Sequence, residues 1–96
     1  MSLPEFEESM LKDDGKIRMV AFKAPWCAPC KMMTPTLEVV ADHGHEVFVV
    51  DTDENEELTM KYGIRGVPTT IVFEGLDIKN TLVGAQSKGD LIEEFH

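Results

Sequence analysis

The reading turns on Ala24-Pro25-Trp26-Cys27-Ala28-Pro29-Cys30-Lys31. It stands between Ile17 to Ala24, which reads as a strand, and a stripe at Met33, Leu37, Val40 and Ala41 that reads as a helix over Lys31 to Asp42. Its two cysteines are the only ones in the chain. Two are too few for the disulfide framework of a small secreted domain. A lone C-x-x-C can be half a zinc site, an inert pair or a redox dithiol. Zinc needs at least three protein ligands. The only plausible supplements, His43 and His45, follow the expected helix, and at ~1.5 Å per residue His43 lies ~20 Å from Cys30. A redox dithiol is better served. At a strand-to-helix junction, Cys27 meets the unpaired N–H groups and partial positive charge of the helix N-terminus, which favour a thiolate. Pro29, without an N–H, suits the first helical turn and holds the two sulfurs within reach.

Outward from this junction, turn residues divide the chain. Ser2-Leu3-Pro4-Glu5 is a capping box, which predicts a short helix closed by Gly15. Val47 to Val50 is β-branched without alternation, as in a strand covered on both faces, and reads as central. It should pair in parallel with the strand before the dithiol, through the connecting helix. Pro35 should kink that helix. Asp53-Glu54-Asn55-Glu56 opens another helix that ends at Gly63. Thr69 to Glu74 and Ile78 to Val83 form a hairpin about Gly75-Leu76-Asp77, and Ser87-Lys88-Gly89-Asp90 caps a last helix. The expected order is α, β, α, β, α, β, β, α, an α/β chain.

The chain has 96 residues, 9 Lys+Arg and 18 Asp+Glu, hence a net charge of −9. Such a length buries only ~60–65% of its unfolded surface, enough for one domain over 1–96 with a modest core. The acidic excess argues against nucleic acid and anionic membranes as partners. No apolar run approaches the ~20 residues of a membrane span, and Glu5, Glu7 and Glu8 stand where a signal peptide would be basic and then apolar. The chain therefore reads as cytoplasmic. Five acids between Asp51 and Glu57 lack the spacing of a calcium loop, so no metal is expected.

The segment around Cys27 resembles the active site of the thioredoxin family. Two further segments carry the same resemblance: Tyr62-Gly63-Ile64-Arg65-Gly66-Val67-Pro68-Thr69, which is similar to the family's cis-proline loop, and Val83-Gly84-Ala85 followed by Ser87-Lys88-Gly89. It spans about Phe6 to Phe95. It implies a thioredoxin fold with a mixed sheet and helices on both faces. Because Ser2 begins a helix directly, the usual opening strand should be missing, leaving four strands, one less-protected edge and an early stop at His96. It also implies reduction of protein disulfides by a reversible Cys27–Cys30 pair, without a cofactor. Cys27 would be the more exposed nucleophile, Cys30 the shielded resolving thiol. Trp26, Val67, cis-Pro68, Gly84 and Ala85 would form the docking patch, the Val67 backbone pairing with extended substrate. The implied partners are protein disulfides and a thioredoxin reductase, with the protein a monomer. A glutathione-linked reductase and a non-catalytic accessory module are the alternatives.

Three positions depart from the family pattern. Its buried Asp is Ala21 here, and the partner Lys aligns with Val49. Losing both is coherent, since removing one member of a buried ion pair costs several kcal/mol and replacing both by apolar residues need not. Cys30 would then be deprotonated by water or by the leaving thiolate, and Ala21→Asp should speed resolution near neutral pH. Lys23 stands where an aromatic is usual, either snorkelling to solvent or favouring the Cys27 thiolate. Ala28 replaces the more usual Gly.

Overall fold

The computed structural model describes residues 3–96. Four strands, β1 (Ile17–Lys23), β2 (Glu46–Asp51), β3 (Thr69–Glu74) and β4 (Asp77–Val83), form one sheet in the order β2-β1-β3-β4. β1 pairs in parallel with β2 and antiparallel with β3, and β3–β4 is the hairpin read from the sequence. Helices α1 (Ala28–Asp42), α2 (Glu56–Lys61) and α3 (Lys88–Glu93) complete the chain, and α1 passes through Pro35 as one element.

Strand alternation sorts the apolar residues onto two faces. Met19, Ala21, Val47, Val49 and Val72 meet Met33, Leu37 and Val40 of α1 and Leu91 of α3. Val20, Phe22, Val50, Ile71 and Phe73 face the other way, against Leu58 of α2, Tyr62 and Ile64. The sheet is thus covered by helices on both sides, which is why β1 and β3 carry continuous apolar runs. At the last helix the Ser87 hydroxyl accepts from the Asp90 amide, the cap its sequence suggests.

Two expectations are corrected. The opening segment is no helix beyond one 3-10 turn, Glu8–Met10; Ser2, its expected cap, lies outside the described residues. Instead Val49 donates to Pro4 O at 3.0 Å and Phe6 donates to Val49 O at 2.9 Å, a single parallel bridge at Glu5. Phe6, stacked on Phe73 with ring centroids 5.8 Å apart, is buried. That long-range burial outweighs a local capping signal. β2, read as central, is an edge strand of the four. Its apolar run arises because helices cover both faces and the Pro4–Phe6 segment covers its outer backbone, so this edge is less open than expected.

Candidate active site

β1 ends at Lys23 and α1 begins at Ala28, so the intervening residues cross the C-terminal edge of the sheet. Cys27 is the N-cap of α1: its Sγ accepts a hydrogen bond from the Cys30 amide at 3.2 Å. Pro29 falls in the first turn, where a missing N–H costs nothing. Cys27 and Cys30 are joined as a disulfide, with Cα atoms 5.3 Å apart.

The two cysteines are 4% and 3% exposed, so, against the expectation that Cys27 is the more exposed, exposure does not rank them. The asymmetry is electrostatic. Cys27 Sγ is met by a backbone N–H and the positive end of a 15-residue helix, an environment that stabilises a thiolate.

Around the pair, Ala24 is buried with both cysteines and Val67 packs against them. The Val67–Pro68 peptide is cis, as the resemblance implied. Gly84 donates its amide to Pro68 O at 2.9 Å with φ +87°, a conformation that favours glycine, and so brings the third segment to the proline loop. Gln86, whose local sequence carries no signal of this role, donates to Val83 O and Gly84 O and holds that turn. Ala85 is exposed beside it.

Trp26 is 69% exposed, not a core aromatic. Its Nε1 donates to Asp53 Oδ2 at 3.1 Å. Asp53 had read as a helix-opening acid; the helix instead starts at Glu56 with Asn55 as N-cap, and Asn55 bonds Asp51 O. Only the tertiary fold pairs residues 26 and 53. A hollow of about 120 Å3 runs between Trp26 and Val67 past Ile64 and Arg65. A wider hollow, about 540 Å3, lies instead among Glu8, Glu54, Glu56 and Glu57 and is lined by no cysteine.

Ala21 and Val49 are register partners in the packed face under α1, 2% and 8% exposed, so an apolar pair stands at the positions aligned with the family's Asp and Lys. Thr70, across from Ala21 on β3, is fully buried and its Oγ1 has no hydrogen-bond partner among the described residues. Lys23 borders a cavity of about 190 Å3 whose walls include Cys30, Lys31, Thr34 and Asp51; Cys27 is not among them. Among the described residues no group of three or more His, Cys, Asp or Glu is arranged to hold a metal.

The thioredoxin family model matches residues 1–96. The chain belongs to the thioredoxin family. It is 42% identical to thioredoxin of Rickettsia bellii over 91 residues, which cover 92% of this chain and 86% of that one. It is 43% identical to thioredoxin of Pseudomonas aeruginosa over 89 residues, 90% of this chain and 82% of that one. A solved mutant thioredoxin from Halobacterium salinarum matches 97% of the chain and is itself 88% covered, with a TM-score of 0.83 and 32% identity. With the C-x-x-C pair at disulfide distance, this membership makes the protein a thiol–disulfide oxidoreductase. The thioredoxin family in general acts on protein disulfides and is re-reduced by thioredoxin reductase. No helix among the described residues is long and apolar enough to cross a membrane.

Proposed function

We propose that Cys27 is the attacking thiolate and Cys30 the resolving thiol in the reduction of protein disulfides by this single thioredoxin-like unit, working as a monomer in the cytoplasm. The amide of Cys30 on Cys27 Sγ carries this reading, because the same N–H and helix end that meet the sulfur in the disulfide favour its anion in the dithiol. The Cys27 thiolate attacks one sulfur of a substrate disulfide and expels the other as a thiolate, which takes a proton from solvent. A mixed disulfide remains. Cys30, deprotonated, attacks Cys27 Sγ, the bond to the substrate breaks, and the substrate leaves fully reduced by two electrons. The protein is left oxidised, and a reductase returns the two electrons.

Trp26, Val67, Pro68, Gly84 and Ala85 form the docking surface in this reading. The exposed indole, braced by Asp53, offers apolar area at little entropic cost. The Val67 backbone, which bonds no described residue, is available to an extended substrate. Pro29 sets the turn, and Ala21 keeps the space under α1 apolar.

The test is reduction of a protein disulfide with thioredoxin reductase as electron source, for the wild type and for Cys27→Ser and Cys30→Ser. Turnover lost in both variants, with reductase and not glutathione as donor, is the expected result. Turnover sustained by glutathione, or retained in Cys27→Ser, would overturn it.

A further inference from the structure

Resolution requires Cys30 to give up a proton, and among the described residues the sheet beneath it offers no ionisable group: Ala21 and Val49 are apolar and packed, and Thr70 beside Ala21 carries only a hydroxyl. What Cys30 does border is the cavity of about 190 Å3 between the ends of β1 and β2 and the first turns of α1. Lys23 and Asp51, register partners on the parallel strands, wall one side, and Lys31 and Thr34 of α1 wall the other. The space admits several water molecules, and these four polar side chains suffice to hold them. One carboxylate oxygen of Asp51, Oδ1, accepts the Asp53 amide at 2.9 Å, and no described residue bonds Oδ2.

We infer that this cavity is the route by which Cys30 releases its proton, with the Asp51 carboxylate as the acceptor reached through water and Lys23 as a positioning cation that favours the Cys30 thiolate. In the mixed disulfide the Cys30 S–H gives its proton through water to Asp51. The thiolate attacks Cys27 Sγ, the Cys27–Cys30 bond forms, and the bond to the substrate sulfur breaks with its electron pair leaving on that sulfur. The proton then passes from Asp51 to solvent, and the substrate thiolate takes one from solvent. The charged groups facing this path are Lys23 from β1, Asp51 from β2 and Lys31 from α1. The inference rests on the reading that Cys27 attacks and Cys30 resolves.

Stopped-flow mixing of the fully reduced protein with a substoichiometric nitrobenzoate disulfide separates the two steps. Each sulfur leaves as a coloured thiolate that needs no proton at neutral pH, so the first release reports Cys27 and the second reports Cys30. Asp51→Asn keeps an oxygen for the Asp53 amide. It is expected to leave the first phase unchanged, slow the second about tenfold or more near neutral pH, and move its pH midpoint upward. The sign is diagnostic, because removing a bystander negative charge would lower the Cys30 thiol pKa and speed the second phase. Thr34→Leu, which fills the cavity without altering charge, should also slow only the second phase. A second phase in Asp51→Asn that is unchanged or faster, or two phases that slow together, overturns the inference. The underlying reading fails separately: in Cys30→Ser the first phase must survive and the second vanish.

Discussion

Placing an acid at position 21 tests how dry the floor of the dithiol is. Ala21 is 2% exposed, lies beside Val49 and Thr70 in the sheet, and packs in the face covered by α1 and α3. In Ala21→Asp the new carboxyl enters a face whose packed residues are apolar. Burial raises such a group by about 3–5 pKa units, to about 7–9 from the usual 3.9. The sign follows from proton counting. Below about pH 4 the acid is protonated in both states and costs only its extra volume, about 1–3 kcal/mol. As pH rises above the unfolded value, the unfolded chain loses the proton and the native state retains it, so stability falls. By about pH 7 some three units have accumulated, about 4 kcal/mol beyond the acid-side cost. Against a total of about 5–15 kcal/mol this is a large fraction. Urea denaturation of wild type and variant at about pH 4, 5, 6 and 7 reads it directly, since the acid-side cost cancels in the pH dependence. Adding Val49→Lys should recover part of the loss at neutral pH and none at pH 4. A penalty of equal size at both ends of the range would refute the reasoning, because it would mean the carboxylate reaches water.

Other residues give independent checks. Thr70→Val removes a buried hydroxyl without a partner among the described residues and should stabilise the protein by about 1–2 kcal/mol in the same urea assay; destabilisation would show that the hydroxyl is satisfied. Asp53→Ala unties the Trp26 indole, so tryptophan fluorescence anisotropy should fall. kcat/KM for a protein disulfide should drop about two- to tenfold, the equivalent of one hydrogen bond of ~0.5–1.5 kcal/mol. Unchanged anisotropy would remove Asp53 from the docking surface. His45 stacks on Phe95 at 4.1 Å, and burial, then the neighbouring His96 and His43, hold its pKa below the usual value. The unfolded chain therefore takes up this proton first, and stability should decline as pH falls through about 6.5 toward the lower native value. His45→Phe keeps the stack and should flatten the loss between about pH 7.5 and 5.5, and an unaltered slope would show that His45 is not its source.

Much of this was legible in local patterns. β3 spans Thr69–Glu74 as read, because a β-branched and aromatic run ends at Gly75, which adopts φ +60° in the hairpin turn. The dithiol, the strand before it and the helix after it follow from apolar period and from Pro29. What escaped depends on partners distant in sequence. Ser2 to Glu5 has the chemistry of a helix cap, yet Phe6 gains more by burial on Phe73 while the chain pairs with Val49. Asp53 carries no local sign that it will meet Trp26. Arg18, on the strand leading to the dithiol, is buried and held by both oxygens of Asp14, which lowers that carboxyl's pKa, and by Glu46 at 3.4 Å. Nothing in its neighbours suggested that a charge would be enclosed there. The cavity beside Cys30 was unreadable for the same reason, since its walls come from two strand ends and a helix.

In the proposed cycle Cys27 at the helix end attacks first and Cys30 resolves. The most direct measurement is trapping. Reduced Cys30→Ser is incubated with a protein disulfide, and the adduct is mapped by peptide mass spectrometry without reductant. A stable mixed disulfide is expected on Cys27, and none on Cys30 in the reciprocal Cys27→Ser protein under the same conditions. An adduct that forms as readily on Cys30, or no adduct on Cys27, would contradict it.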